Sequence, residues 1–225
     1  MKTTKISKRN IMFSTLENAT DDVNMAVIFG IKHNFVIDTG IGTDCGRAIL
    51  QHIGNSKPII VINTHKDWDH AAGNSVFAGS TIIAHKLAYA AMDEKWDESI
   101  ERAASNGRYF CGHTTKHLPN MLFDGTIHFP EDGVTIFHSP GHTPCSISVY
   151  DSIDKVLHVG DNFGVYEGAA YYWGAKDDVK GFRNMIDIYK QYDFDMCVSG
   201  HTAPQNKDVM TMLEAALVRM EADTK

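Results

Sequence analysis

The segment that follows an apolar strand near residue 62 is dense in side chains that can bind a metal ion. Residues 64–70 read Thr-His-Lys-Asp-Trp-Asp-His, so two histidines and two aspartates occupy six consecutive positions. Alternate side chains of an extended loop lie on the same side, which lets His65, Asp67 and Asp69 converge. His70 would then begin the next helix. The alternative is a solvated polar loop whose aspartates cap that helix.

Three further polar residues follow apolar strands later in the chain. His142 lies in Ser-Pro-Gly-His-Thr-Pro, Asp161 in His-Val-Gly-Asp, and His201 in Ser-Gly-His-Thr-Ala-Pro. Each stands close to a glycine or proline that favours a tight turn, and side chains from the ends of different strands can meet in space. A single histidine in such a place is more often structural, but four such segments together indicate a metal-binding site.

The elements that must position these side chains are read from the apolar pattern. Runs rich in Val, Ile and Phe predict strands, and apolar residues spaced three or four apart predict helices. Strands and helices alternate in both halves of the chain, which is typical of an α/β layered domain. We expect strands at 24–30, 34–38, 59–63, 81–84, 125–129, 134–139, 146–150, 155–160 and 196–199, helices at 44–54, 70–77, 86–105, 178–192 and 207–221, and a loop at 108–120.

The composition excludes several classes of function. A chain of 225 residues with 43% apolar and 22% charged residues is an ordinary globular sequence. Its net charge of −7 disfavours nucleic acid as a partner, because nucleic-acid recognition normally needs a basic face. The amino-terminal residues lack the apolar stretch of a signal peptide, and no run is long enough to span a membrane. We therefore expect a cytoplasmic protein that has no membrane partner and acts on a small molecule.

The site residues together resemble those of the metallo-β-lactamase fold metallohydrolases. The pattern of that family is a His-x-His-x-Asp-His loop followed by a later His, an Asp and a final His, each in its own loop. The chain has His142, Asp161 and His201 in that order after the segment 64–70. The resemblance also covers residues 37–40, Ile-Asp-Thr-Gly, so it spans nearly the whole sequence.

The resemblance implies a four-layer αββα sandwich, a single domain over residues 1–225, and a cleft for two metal ions at one edge of the sheets. It further implies hydrolysis by a hydroxide that bridges the two ions, with Asp69 orienting the hydroxide and Asp161 required for turnover. By position, the first metal would be held by His65, Asp67 and His142, the second by Asp69, His70 and His201, and Asp161 would bridge them.

One departure from the family pattern affects the choice of metal. Asp67 stands where the family usually has its second histidine. A carboxylate is a harder ligand than an imidazole, so the change favours iron or manganese relative to an imidazole-rich zinc site. Flavodiiron oxygen and nitric oxide reductases, a branch of the same fold, have a glutamate at this position. The resemblance thus leaves zinc, iron and manganese open.

Three functions follow from these ligands. The favoured one is a metal-dependent hydrolase of a small ester, thioester, lactone or phosphoester. The second is an iron-dependent redox enzyme, which would need a separate electron-donor protein if it resembled the flavodiiron reductases. The third is a non-catalytic diiron module that binds oxygen as a sensor. The sequence indicates no particular oligomeric state.

Several other residues are candidates for supporting roles. Asp38 follows a strand and either forms a hydrogen bond with a ligand histidine or caps a turn, and the two alternatives are equally favoured. Aromatic side chains often line small-molecule pockets, although ordinary packing or surface positions explain such residues as well. The candidates for contact with substrate are His113, His117, Tyr171, Tyr172 and Trp173.

Overall fold

The first sheet is built from strands whose side chains alternate between two buried faces. In the computed structural model, which describes residues 1–15, 22–54 and 56–224, Val36 and Val61 lie on one face and Ile37 and Ile62 on the other. Such a pattern requires packing on both sides of the sheet. The strands, in spatial order, are β1 (Lys2–Lys5), β2 (Asn10–Ser14), β3 (Asn24–Phe29), β4 (Asn34–Ile37), β5 (Ile59–Ile62), β6 (Thr81–His85) and β7 (Met121–Phe123).

The second sheet is assembled from the carboxyl-terminal half of the chain. The strands of this half are β8 (Thr126–Phe129), β9 (Val134–His138), β10 (Ile147–Asp151), β11 (Val156–Gly160), β12 (Phe163–Tyr166), β13 (Ala169–Tyr172), β14 (Met196–Ser199) and β15 (Gln205–Asn206). The spatial order of the second sheet is β15-β14-β11-β10-β9-β8, and β12 pairs with β13 in a separate hairpin.

Helices cover the outer faces of both sheets. They are α1 (Thr43–Ile53), α2 (Trp68–Ala71), α3 (Lys86–Ser105), α4 (Val179–Tyr189) and α5 (Val209–Asp223), with a 3₁₀ turn at Asn74–Phe77. Helices α1, α4 and α5 pack on the outer faces, and α3 contacts β6 and β7 at the end of the first sheet. Among the described residues, none of the helices combines the length and apolar character needed to cross a membrane.

Three apolar layers hold the sandwich together. Between the sheets, Ile28 and Ile62 of the first sheet pack with Ile136 and Val149 of the second. A second layer joins the first sheet to α1. A third joins the second sheet to α4 and α5. The predicted four-layer αββα sandwich is therefore confirmed.

The strand directions explain why the polar segments meet. Strands β4 and β5 are parallel, so their carboxyl ends lie at the same edge of the first sheet. Strands β9 and β11 both run antiparallel to β10, and β14 runs parallel to β11, so β9, β11 and β14 end together at one edge of the second sheet. A backbone hydrogen bond from Ile147 to the Thr64 carbonyl (2.8 Å) joins the two sheets there.

The predicted elements agree with the structure at most positions. The helix expected at 86–105 and the strand expected at 196–199 have the predicted bounds. The helix expected at 70–77 is wrong, because α2 ends at Ala71 and a separate 3₁₀ turn follows. The His70 carbonyl accepts hydrogen bonds from the backbone and hydroxyl of Thr39 (2.8 and 3.3 Å), which diverts it from the α-helical pattern.

Candidate metal centre

Asp161 lies at the centre of the converging side chains. It directly follows β11 and is 6% exposed. Its Oδ2 is 3.6 Å from Nε2 of His65, 3.2 Å from that of His70 and 3.0 Å from that of His201. Three imidazoles from two different loops therefore face one carboxylate oxygen, the arrangement expected of a group placed between two cations.

Asp67 occupies a second position between imidazoles. Its Oδ2 lies 3.3 Å from Nε2 of His65 and 3.1 Å from Nε2 of His142. Its other oxygen accepts a hydrogen bond from the Lys66 ammonium at 2.5 Å. The Asp67 carboxylate, which stands where the family usually has a histidine, is thus paired with the Lys66 ammonium through Oδ1, while its Oδ2 faces the site.

The donor atoms fall into two groups, each small enough to surround one ion. Within each group the donor atoms all lie within 4.8 Å of one another. Asp69 Oδ2 is 3.8 Å from Nε2 of His70 and 3.7 Å from Nε2 of His201. The first group is His65, His142 and Asp161, and the second is Asp69, His70 and His201.

All four imidazoles of the site are oriented by a hydrogen bond at Nδ1. His142 donates to the Trp173 carbonyl (2.9 Å) and His201 to the Asp22 carbonyl (2.7 Å). His65 donates to the Thr64 hydroxyl (3.0 Å), and His70 to Asp38 (2.8 Å). A histidine whose Nδ1 donates its proton in this way presents Nε2 as the metal ligand.

Asp38 joins two of these imidazoles in one network. It sits at the end of β4 in a left-handed conformation, with φ of 59°. Its carboxylate accepts from the backbone and hydroxyl of Thr64 (2.8 and 2.7 Å) and from His70. Because the Thr64 hydroxyl donates to Asp38, that hydroxyl is left to accept from His65. The structure therefore favours the supporting role for Asp38 over a turn cap.

Two unpaired buried atoms indicate, independently of the family resemblance, that these residues fit a bound cation. His65 Nε2 and Asp161 Oδ1 are buried without a hydrogen-bond partner in the part of the chain that the structure describes. A buried polar atom left unpaired costs about 1–3 kcal/mol. Metal ions in the cleft would satisfy these atoms, whereas an apolar ligand would not.

The electrostatics of the cleft also favour positive charge. Burial alone would lower the pKa of His70, but the neighbouring carboxylates, Asp161 foremost, raise it well above its ordinary value. Burial opposes ionisation of Asp161, yet the surrounding histidines hold its pKa well below the usual range. The neighbouring imidazoles of His142 and His65 likewise outweigh burial and hold the pKa of Asp67 below its usual range. Protons and metal ions thus compete for the same imidazoles.

Buried amides hold the ligand loops in place. Asn162 accepts a hydrogen bond from the His142 backbone (3.0 Å) and donates to the Ser139 carbonyl (2.7 Å). Asn24 donates from its side-chain amide to the Ser199 carbonyl (3.0 Å) and from its backbone N–H to the Gly200 carbonyl (2.7 Å). These contacts fix the two loops that carry the later histidines.

The metal centre opens into a cleft of about 460 Å³. Trp173, one of the candidates for contact with substrate, lines this cleft, and its ring is 5.7 Å from that of His201. Segment 108–120, expected to be a loop, contributes Arg108 and Tyr109. Sequence reasoning missed most of the other lining residues, which include Trp68, Ser99, Arg102, Asn106 and Tyr166.

The other candidates for substrate contact lie outside the lining of the cleft. Tyr172 stacks on Phe182 of α4 at 4.5 Å and belongs to the outer core, while Tyr171 is half exposed. His113 is tied by its backbone to Thr43, and the His117 carbonyl accepts from Asn74. Alternation along β13 explains part of this result, since neighbouring strand residues face opposite sides.

A spacing signal could have revealed the missed residues of α3. Residues 99, 102, 103 and 106 all line the cleft and recur at the three- and four-residue intervals of one helical face. That face is mostly polar, so it lacks the apolar spacing from which buried helical positions are predicted. Arg102 lies on it among small and polar neighbours.

Sequence comparisons place the chain among metal-dependent hydrolases. A family profile described as "Metallo-beta-lactamase superfamily" matches residues 19–201. Acyl-coenzyme A thioesterase MBLAC2 from Gallus gallus is 23% identical over 200 residues, which cover 79% of this chain and 72% of that protein. An N-acyl homoserine lactonase from a Bacillus species is 27% identical over 109 residues, which cover 48% of this chain and 39% of the lactonase.

Comparison with solved structures gives the same fold. TMB-1 superposes with a TM-score of 0.72 at 18% identity, covering 100% of this chain and 98% of its own. A metallo-beta-lactamase from Pontibacter korlensis superposes with a TM-score of 0.66 at 18% identity, covering 98% of both chains. Likeness at this identity shows the fold alone. The fold and the match over residues 19–201 together establish that the chain belongs to the metallo-beta-lactamase superfamily, as one of its metallohydrolases.

Proposed function

We propose that the protein is a hydrolase with two metal ions that cleaves an acyl bond, a thioester or an ester including a lactone, in a small substrate. The observation that carries the proposal is the common orientation of four imidazoles, each donating from Nδ1 and presenting Nε2 to one cleft. The thioesterase and lactonase names of two relatives support an acyl centre over a phosphoryl centre.

The proposed ligand set uses every donor group that converges at the edge of the sheets. One ion would be held by His65 and His142 with Asp67, and the other by His70 and His201 with Asp69. Asp161 lies between the two groups, with its Oδ2 3.0–3.6 Å from three imidazole nitrogens, and would contribute to both. The three carboxylates would offset most of the charge of two divalent cations.

Bound ions would lower the pKa of a water molecule and polarise the substrate carbonyl. The chain supplies the other requirements of the reaction. Asp69 lines the cleft and is 24% exposed, so its Oδ2 is placed to orient the attacking water and hold its proton. Trp68 and Trp173 wall the cleft and limit the access of bulk water.

Metal analysis and turnover test the proposal together. Protein purified without added metal is assayed for bound zinc, iron and manganese, reloaded with each, and offered a panel of acyl thioesters, esters and lactones. We expect two ions per chain and metal-dependent hydrolysis, both lost in Asp161→Asn. The matched control is Asp97→Asn, which changes an exposed aspartate of α3. Absence of turnover across the panel with both ions bound would contradict the proposal.

An iron-dependent redox or oxygen-binding function is the second candidate, and Asp67 is the observation that favours it. Its carboxylate lies 3.1–3.3 Å from two imidazoles and offers a hard oxygen donor. The same metal analysis separates the two functions. Stoichiometric iron with an absorption band that responds to oxygen would favour the redox candidate, which requires an electron-donor protein, whereas colourless protein with zinc or manganese favours hydrolysis.

A further inference from the structure

One face of α3 places an arginine in the wall of the cleft. Ser99, Arg102, Ala103 and Asn106 line the cleft from that face. Ser99, Ala103 and Asn106 are uncharged, so Arg102 supplies the charge of this face. A guanidinium presents five N–H donors and no acceptor, which suits it to bind carboxylate or phosphate oxygens.

Arg102 carries a charge that no carboxylate among the described residues neutralises. Glu98 precedes it by one helical turn, yet no ion pair joins Arg102 to Glu98 or to any other acidic residue that the structure describes. The acidic residues of the metal centre are engaged elsewhere, since Asp67 pairs with Lys66 and histidines, and Asp161 with histidines. Arg102 therefore has donors available for a ligand.

The rest of the cleft suits an apolar body attached to that anion. Trp68, Tyr109, Tyr166 and Trp173 line the same space as the metal centre and Arg102. Trp68 packs against Phe110 with ring centroids 4.9 Å apart, and Tyr166 lies 6.2 Å from Trp173. Small-molecule sites commonly combine such aromatic walls with a few polar groups that fix orientation.

We infer that Arg102 binds an anionic group of the substrate, so that the preferred substrates are acyl compounds with a carboxylate or phosphate away from the scissile carbonyl. This inference rests on the proposed hydrolase function. The anion pairs with the guanidinium, the acyl chain lies along the aromatic walls, and the carbonyl reaches the metal centre. Arg102 is thus a specificity residue and takes no part in the chemical step.

The test compares pairs of substrates that share a reactive group, one member of each pair being anionic and the other neutral. Mono-4-nitrophenyl succinate and 4-nitrophenyl butyrate share a leaving group and chain length but differ in a terminal carboxylate. Butyryl-coenzyme A and S-butyryl-N-acetylcysteamine share an acyl thioester but differ in phosphates. The first pair places the anion on the acyl side and the second on the leaving group, so the two sources are distinguished.

Each pair is assayed with zinc-loaded wild type and three variants. In Arg102→Gln we expect kcat/KM for the anionic member of one pair to fall about 10- to 100-fold, mainly through KM, as loss of a charge-assisted contact predicts. The neutral member should change less than about twofold, as the same contact is absent there. Arg102→Lys should restore part of the loss. Arg219→Gln, which changes an exposed arginine of α5, is the matched control.

The outcomes separate this inference from the proposed function. Equal losses for anionic and neutral members would assign Arg102 a structural role at the end of α3, and no loss for either pair would also overturn the inference. If no substrate is hydrolysed, the proposed function fails, but succinate binding, followed by the tryptophan fluorescence to which Trp68 and Trp173 of the cleft contribute, still tests Arg102. Weaker succinate binding in Arg102→Gln than in wild type supports the inference, and equal binding overturns it.

Discussion

Asp38→Asn isolates the part played by hydrogen bonding behind the metal ligands. The side chain is 2% exposed, and its two oxygens accept three hydrogen bonds, two from Thr64 and one from His70. Asparagine has nearly the same size and tolerates the left-handed backbone at this position. Its amide keeps one acceptor, so in either orientation an NH₂ group faces the N–H of Thr64 or of His70.

The expected loss follows from these contacts. Removal of a partner that orients a metal-binding histidine typically costs 10- to 100-fold in metal affinity, or about 1.4–2.7 kcal/mol. The metal-free protein should lose a further 1–3 kcal/mol of unfolding free energy, roughly the cost of one unpaired buried donor. Competition with a chromophoric zinc chelator gives the first quantity, and urea unfolding of metal-free protein gives the second.

The chain offers a matched control at the opposite end of the sandwich. Asp132 is also buried and accepts hydrogen bonds from the Lys32 backbone (2.6 Å) and from Nδ1 of His33 (2.7 Å). Asp132→Asn should destabilise the protein to a similar extent while leaving zinc affinity unchanged. Wild-type zinc affinity in Asp38→Asn, or an equal loss of affinity in both variants, would refute the argument.

Three further predictions concern sterics, charge and pH. Gly200→Ala should abolish metal binding, because a Cβ there would collide with the Asp161 carboxylate; retention of both ions in metal analysis would contradict this. Lys66→Met should weaken metal binding less than about tenfold, since the ammonium contacts only Oδ1 of Asp67, the oxygen that faces away from the imidazoles. Loss of the positive charge should also raise the apparent pKa of metal uptake, and chelator competition across pH measures both quantities. Burial lowers the pKa of His158 from 6.5 to about 4, so its contribution to stability is complete above pH 6.5 and decreases as the pH falls towards 4. Between pH 7 and pH 5, metal-free wild type should therefore lose about 2 kcal/mol more unfolding free energy than His158→Gln, as measured by urea unfolding. An equal loss in the two proteins would contradict this prediction.

Much of the fold was predictable because its elements have regular apolar patterns. The strand at 196–199 and the helix at 86–105 were predicted with their observed bounds. The hairpin of β12 and β13 was missed, although Glu167 and Gly168, both with positive φ, form the two-residue connection that favours such hairpins. The β1–β2 hairpin was missed because its first strand is short and polar.

The substrate side of the site was less predictable than the metal side. Of three neighbouring aromatic candidates, Trp173 lines the cleft, whereas Tyr171 and Tyr172 do not. The face of a strand residue depends on register and hairpin position, which local composition does not encode. Arg102 was missed because a polar helical face gives no apolar signal, and its position became apparent only once α3 was seen beside the metal centre.

The amino-acid sequence by itself determined which chemistry was available: histidines and aspartates in four loops, each following an apolar strand. Only the tertiary structure decided how those groups meet, because their convergence depends on the directions of strands distant in sequence. It also decided which nitrogen of each imidazole faces the cleft, since Nδ1 is fixed by partners such as the Asp22 and Trp173 carbonyls. Ligand identity is a local property of the chain, whereas ligand geometry is set by long-range packing.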